Sequence, residues 1–151
     1  MAYKYPYDYE ERIYQAPMLQ TNRSMWKLML LNILTLGIYS IVFFIPFSYD
    51  LDKVDPKRER GKTVNYFLAY IVSAFTFSIV LFIWHYHIAC RVEEALSRRN
   101  VKYNFSAGEF WKLYFFGSFI LIGSFVYFHK LCKAMNLLCE SYNESIRSNK
   151  R

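Results

Sequence analysis

The chain has 151 residues, a formal net charge of +7 at pH 7 and a hydrophobic content of 54%. A chain of this length normally forms one domain, and its polar stretches are too short to bury cores of their own. Its three cysteines lack the even, spaced pattern of a disulfide scaffold and indicate reduced thiols packed among apolar side chains.

Residues 1–22 form a polar segment that is rich in tyrosine. Four of its tyrosines alternate along the chain, which would place them on one face of an extended strand; they are Tyr3, Tyr5, Tyr7 and Tyr9. Two interpretations follow, a docking strip for a partner and a tail that lies at a lipid interface. The segment has no basic start leading into an apolar stretch, so we expect no cleavable signal peptide.

Three uncharged runs dominate the rest of the chain, at Leu28–Tyr49, Thr63–Cys90 and Leu113–His129. A helix that crosses ~30 Å of hydrocarbon needs roughly 17–25 apolar residues, and each run is long enough for one crossing. The runs therefore predict an all-α membrane protein with three long hydrophobic helices. Amphipathic extensions continue the helical period beyond each run, which places the predicted helices near residues 24–54, 63–98 and 108–146.

The runs also form a weak internal repeat. Ser40–Ile45 of the first run aligns with Ser78–Ile83 of the second, and Trp26–Leu28 aligns with Trp111–Leu113 at the start of the third. The predicted organisation is a tail over residues 1–22 and a membrane domain of three units, about 23–60, 61–104 and 105–151. An apolar stripe at helical spacing ends the third unit, and we expect it on the membrane surface or against a neighbouring subunit; it consists of Leu131, Met135, Leu138 and Tyr142.

Residues 23–54 carry a more specific pattern, which is Arg-Ser, an apolar run, Thr-Leu-Gly-Ile-Tyr and an aromatic stretch that ends in Leu-Asp. The pattern resembles a family of small bacterial membrane proteins of unknown function, whose signature runs R-S, T-x-G-I-Y and then L-N or L-D. The resemblance implies a multi-pass protein of the bacterial cytoplasmic (inner) membrane without established chemistry. The residues that carry the signature are Arg23, Ser24, Thr35, Gly37 and Tyr39. The alignment of the first two units puts Ser73 and Phe75 at the positions of the threonine and the glycine.

Two topologies are open. Three spanning helices would divide the cations 9 against 10 between the two sides, which is no positive-inside bias. In the alternative, each unit is a re-entrant helical hairpin that breaks near Thr35-Leu36-Gly37 and returns to the side it came from. The run lengths favour three spanning helices, so we expect residues 57–62 and 98–102 on opposite sides of the membrane.

Two H-x-x-C pairs provide a candidate metal site. Histidine and cysteine three residues apart share one face of a helix, and the pairs are His87 with Cys90 and His129 with Cys132. Together they would supply the two imidazoles and two thiolates of a tetrahedral zinc site. The more common explanation is interfacial histidines and buried thiols. Spanning helices would hold the pairs of one chain apart, so zinc requires the hairpin topology or contacts between chains.

No nucleophile–base arrangement, phosphate loop or intramembrane carboxylate pair is visible, so the sequence does not predict an enzyme or a cofactor. The predicted function is a non-enzymatic integral membrane subunit or scaffold that oligomerises or binds a membrane partner. A small oligomeric transporter or channel is the alternative, and a metal-binding membrane protein is a further one. The expected partners are the lipid bilayer, its anionic headgroups and other copies of the chain, with no nucleic acid.

Overall fold

The computed structural model describes residues 17–55, 63–117 and 122–149. These residues form six helices and no strand, which confirms the all-α class for this part of the chain. We number the α-helices α1 to α5; a short π-helical segment precedes α5. In chain order the helices are α1 (Met25–Leu34), α2 (Tyr39–Val54), α3 (Tyr66–Phe75), α4 (Ile79–Arg98), the π-helical segment (Phe110–Phe115) and α5 (Ile122–Asn149).

The prediction of three long hydrophobic helices is wrong. Each apolar run is divided into two helices, and α1 and α3 contain only 10 residues each. At 1.5 Å per residue each of these helices is about 15 Å long, against ~30 Å of hydrocarbon. Among the described residues, no helix combines the length and the apolar character needed to cross a membrane. This finding overturns the membrane-protein fold class, the transmembrane helices and the multi-pass inner-membrane location expected from sequence.

The first apolar run turns at residues 35–38, where the hairpin alternative placed a break. The Thr35 hydroxyl donates to the Leu31 carbonyl (2.7 Å) and accepts the Tyr39 amide (2.9 Å), so it joins the end of α1 to the start of α2. Gly37 has a φ of +92° and donates its amide to the Asn32 carbonyl at 2.8 Å. A residue with a Cβ adopts this backbone conformation rarely, so the local backbone explains why glycine occupies position 37.

The second run turns by two of the same bonds. The Thr76 hydroxyl donates to the Val72 carbonyl (3.1 Å), and the Ser78 amide donates to the Ser73 carbonyl (2.9 Å). Thr76 and Ser78 are therefore the structural equivalents of the signature threonine and glycine. The alignment made from sequence, which assigned Ser73 and Phe75 to these roles, is wrong by three positions. That error is close to one helical turn, so it preserves the apolar pattern.

The third hairpin closes through two glycines. A Cβ built on Gly117 would lie 2.7 Å from the Cα of Gly123, which is closer than real side chains come. The π-helical segment and α5 therefore cross where neither helix has a side chain. The close packing at these two glycines lies within one chain.

The three hairpins point the same way. Phe44 and His85 lie seven residues after Gly37 and Ser78, and their rings are 4.9 Å apart. Phe128 of α5 packs against both, with ring centroids 6.2 Å from Phe44 and 5.7 Å from His85. Phe128 lies six residues after the start of α5. Since the three rings pack together, the first two turns and the start of α5 share one end of the bundle. We call this the turn end.

The opposite end, which we call the ionic end, is held by charged side chains near the end of α2. Three carboxylates of this region each form an ion pair with an arginine; the pairs are Arg23–Asp50 (2.5 Å), Arg91–Asp52 (2.6 Å) and Arg98–Asp55 (2.9 Å). Because each pair joins segments that are distant in sequence, the ionic end fixes the relative positions of the hairpins.

The apolar stripe of α5 packs inside the molecule. Leu131, Met135 and Leu138 are fully buried in the common core, and Tyr142 is partly buried against it. The prediction that this stripe faces a membrane surface or a neighbouring subunit is therefore wrong. The helical periodicity is as predicted, but the surface that covers the stripe comes from the other two hairpins of the same chain.

Candidate functional site

The turn end presents an exposed apolar surface, which we call the apolar tip. The exposed fractions of its most prominent side chains are 96% for Phe77, 91% for Leu36 and 83% for Phe75. Further large apolar side chains continue it; they are Ile33, Leu34, Ile38, Ile79, Phe116 and Ile122. An exposed apolar surface of this extent is unusual on a protein that has water on all sides and marks an interaction site.

The apolar tip has a defined depth. The sequence contains no charge between Lys27 and Asp50 or between Lys62 and Arg91. Trp26 and Trp111 are exposed, and each is followed by an exposed lysine. Tryptophan beside lysine is typical of the level where hydrocarbon meets headgroups. Trp26 lies about one 10-residue helix, or ~15 Å, from the turn at residues 35–38.

Arg23 of the signature is almost completely buried at the ionic end. Its guanidinium donates to Asp50, to the Gln20 carbonyl (2.6 Å) and to the Cys139 sulfur (3.4 Å). It also lies 5.6 Å from the centroid of the Phe47 ring. Arg23 therefore joins the N-terminal segment to α2 and α5, and its contacts support a structural role.

The backbone on either side of Arg23 is held by two asparagines of α5. Asn136 accepts the Arg23 amide (3.0 Å) and donates to the Arg23 carbonyl (2.9 Å). Asn143, two turns further on, makes the same pair of bonds with Leu19 at 2.8 and 2.9 Å. Sequence reasoning missed this clamp. The available signal was the spacing of seven residues between two asparagines beside an apolar stripe.

The remaining signature residues shape the first hairpin. Ser24 precedes α1 with extended dihedral angles and makes no side-chain capping bond. Thr35 and Gly37 form the turn described above, and the Tyr39 ring packs 6.5 Å from that of Phe43. All five signature residues thus lie at the two ends of one helical hairpin.

The core beneath the apolar tip is aromatic and uncharged. His85 is buried, and its Nδ1 has no hydrogen-bond partner among the described residues. Burial lowers the pKa of His85 from 6.5 to about 3. Burial likewise raises the pKa of Tyr66 to about 12 and that of Tyr127 above its usual value. These groups stay neutral at physiological pH, as an apolar core requires.

Arg91 is a buried charged side chain of the ionic end. It is fully buried, and one nitrogen donates to Asp52, which also accepts the Thr63 hydroxyl at 2.7 Å. Its Nε and Nη2 have no hydrogen-bond partner within the described residues. Among the described residues, Arg91 therefore depends on a single carboxylate for compensation of its charge.

The structure does not assemble the predicted zinc ligands. Cys90 and Cys132 are buried, His87 is partly buried and His129 is exposed on α5. In the part of the chain that the structure describes, no three His, Cys, Asp or Glu side chains form a group that could hold a metal ion. Burial also raises the pKa of Cys132 to about 12, which favours the thiol over the metal-binding thiolate.

Two groups of predicted residues lie outside the described residues. One is the proposed partner-binding strip of Tyr3, Tyr5, Tyr7 and Tyr9. The other is the charged segment 57–62, which is predicted from sequence to lie on the opposite side from residues 98–102.

A surface cavity of about 300 Å³ separates the N-terminal segment from the first hairpin. It is polar where it meets the segment and the start of α1, and apolar where it follows α2. Its lining consists of Gln20, Asn22, Arg23, Ser24, Lys27, Tyr39, Val42, Phe43 and Pro46.

Comparison with protein families finds a DUF4234 domain, described as a domain of unknown function, over residues 23–94. This range covers the first hairpin and most of the second, so the third hairpin lies outside it. Neither the curated proteins nor the solved structures gave a significant match.

Proposed function

We propose that the protein is a non-enzymatic scaffold that docks on the surface of an anionic lipid bilayer through its apolar tip. The observation that carries the proposal is the chemistry of the two turns. Leu36 and Phe77 have φ values of 50° and 48° and are 91% and 96% exposed. Turns with positive φ in water favour Gly, Asn or Asp. Bulky apolar residues at such positions cost backbone energy and gain nothing from the fold, so an apolar environment outside the chain explains them best.

The depth of the apolar tip supports the bilayer as its partner. An uncharged layer of ~15 Å matches one leaflet of a hydrocarbon core that is ~30 Å thick. Each exposed Leu or Phe that enters hydrocarbon contributes roughly 1.5–3 kcal/mol. The exposed Trp–Lys pairs lie where the headgroups would be, and the net charge of +7 favours anionic lipids.

We further propose that Arg-Ser and Thr-Leu-Gly-Ile-Tyr are the signature of the family, and that this signature specifies a hairpin with an apolar tip. Arg23 fixes the start of the hairpin and Thr35 with Gly37 fixes its turn. In this role the signature carries no chemistry of its own.

Flotation with vesicles tests the proposal. The full chain is diluted from detergent into vesicles of phosphatidylcholine with roughly 25% phosphatidylglycerol, which gives them a negative surface, and is centrifuged through a density gradient. We expect wild-type protein in the lipid layer and a loss of at least tenfold for the variant with both Leu36→Glu and Phe77→Glu. Met18→Glu is the matched control, since Met18 is 49% exposed beside the ionic end.

A second copy of the chain is the other partner that the apolar tip could accept. Mass measurement in mild detergent distinguishes the two. If the double variant converts a stable oligomer to a protomer while wild-type protein stays out of the lipid layer, the tip is a protein–protein interface and the proposed docking is wrong.

A further inference from the structure

The cavity beside the first hairpin changes character along its length. Gln20, Asn22, Ser24 and Lys27 supply polar atoms at the side of the ionic end. Tyr39, Val42, Phe43 and Pro46 supply carbon surface that continues along α2 toward the turn end. The polar side of the cavity therefore faces the headgroup level of a docked bilayer, and its apolar side faces the level of the acyl chains.

The charge at the polar side is positive. Two of the lining residues are cations and none is acidic. Asp50 already compensates Arg23, so Lys27, which is exposed, supplies the charge available to a ligand. Ser24 does not cap α1 with its side chain, which adds first-turn amides of that helix to the donors on this side. This combination selects an anion.

We infer that this cavity binds one anionic phospholipid, with its phosphate beside Lys27 and the start of an acyl chain against Tyr39 and Phe43. The inference rests on the proposed docking, because the ligand enters from the bilayer. A volume of about 300 Å³ is at the lower limit for small-molecule sites. It accommodates the head and first methylenes of a lipid whose remaining chain stays in the leaflet.

The repeat offers a matched control for this site. Val42 of α2 is 62% exposed and lines the cavity. When Gly37 is aligned with Ser78, the equivalent of Val42 is Ile83 of α4, which is 59% exposed and does not line the cavity. Val42→Trp fills the cavity, whereas Ile83→Trp adds the same side chain at the corresponding position of the next hairpin. In the same way Lys112→Gln is the control for Lys27→Gln, since each lysine follows an exposed tryptophan.

Native mass spectrometry of the full chain, released from non-ionic detergent with equal amounts of phosphatidylglycerol and phosphatidylcholine, tests the site. We expect one retained phosphatidylglycerol per protomer, at least fivefold over phosphatidylcholine. Val42→Trp and Lys27→Gln lower the retained fraction at least fivefold, and both controls leave it unchanged. Lys27→Gln alters an exposed side chain, so its result stands even if the tryptophan variant does not fold.

Three results overturn the inference: equal retention of the two lipids, equal loss in variants and controls, or retention of added inorganic phosphate without lipid. The last result would assign the cavity to a free anion. Vesicle flotation separates this test from the docking proposal, because Val42→Trp leaves the apolar tip intact. A variant that floats normally without retaining lipid supports the cavity site, whereas wild-type protein that does not float refutes docking itself.

Discussion

The two ends of the helical bundle have different residue types at backbone positions with a similar positive φ. After α4, at the ionic end, Asn100 has a φ of 52°. At the turn end, Leu36 and Phe77 have nearly the same φ values, 50° and 48°. Asparagine tolerates this conformation better than leucine or phenylalanine. The ionic end therefore has the residue type that favours folding, whereas the turn end loses some local stability and presents an apolar surface.

Removal of the carboxylate that compensates Arg91 has the largest expected effect on the ionic end. Asp52→Ala leaves a fully buried guanidinium without its ion pair, which costs about 3–5 kcal/mol. Denaturant titration followed by circular dichroism measures the loss. Lys53→Ala is the control, because Lys53 is half exposed and 3.8 Å from Asp50, and we expect a change below about 1 kcal/mol. Equal losses in the two variants would contradict the assigned role of the ionic end.

The closure of the third hairpin gives the second prediction. Gly117→Ala brings a methyl group against the Cα of Gly123, and the forced separation of the two helices costs up to about 3 kcal/mol. Gly108→Ala is the control, because among the described residues its Cβ would meet only the Ser106 hydroxyl, at 3.4 Å. The midpoints of thermal unfolding compare the two. A Gly117→Ala variant as stable as the control would contradict the close crossing.

Acidification tests the aromatic core between the two ends. The pKa of His85 is about 3 in the folded chain and 6.5 as the ordinary value, so the unfolded chain binds the additional proton between these limits. Its contribution to stability is complete above pH 6.5 and is lost as the pH falls from 6.5 toward 3, by about 1.4 kcal/mol per pH unit. Stability of wild-type protein should therefore fall by about 2 kcal/mol more than that of His85→Phe between pH 6.5 and 5.

His129→Phe provides the control for this pH dependence, since His129 is exposed. Denaturant titrations at both pH values should show the wild-type slope in this variant and a flatter one in His85→Phe. Parallel slopes in all three proteins would show that His85 is accessible to protons in the folded state.

Substitution of Leu36 by asparagine tests the comparison directly, with the smallest effect on stability. Leu36→Asn relieves the positive φ and should raise the free energy of unfolding by up to about 1 kcal/mol. It should at the same time lower the fraction that floats with vesicles severalfold. Asn100→Leu, the reverse change at the ionic end, should destabilise by a similar amount and leave flotation unchanged. If Leu36→Asn lowers both the free energy of unfolding and the fraction that floats, Leu36 does not reduce the stability of the turn end, and the comparison of the two ends is wrong.

Part of the fold could be predicted from sequence. The helical class and the limits of the apolar runs follow from periodicity and charge, and the threonine–glycine turn at residues 35–38 carries a local signal. The second turn carries none, because Thr76-Phe77-Ser78 contains neither glycine nor proline. Run length alone therefore favours continuous helices that the described part of the structure does not contain.

The candidate site was less predictable than the fold. The residues of the predicted signature stand out in the sequence. Their roles depend on partners far along the chain, such as Asp50 and Cys139 for Arg23. Each histidine–cysteine pair lies on one helix, the first on α4 and the second on α5. Local spacing does not determine where another helix lies, and packing buries the thiols instead of assembling ligands among the described residues.

The amino-acid pattern was enough to predict that the chain is helical and that its cations flank uncharged runs, and it placed a possible break near Thr35-Leu36-Gly37. Only the tertiary structure shows that Gly37 is equivalent to Ser78 and that Gly117 crosses Gly123. It also shows which carboxylate each arginine contacts and where the cavity beside α2 lies. The physical reason is that apolar helices remain similar when shifted by about one turn. Contacts between distant segments are needed to select one alignment, and they also determine which apolar side chains stay exposed.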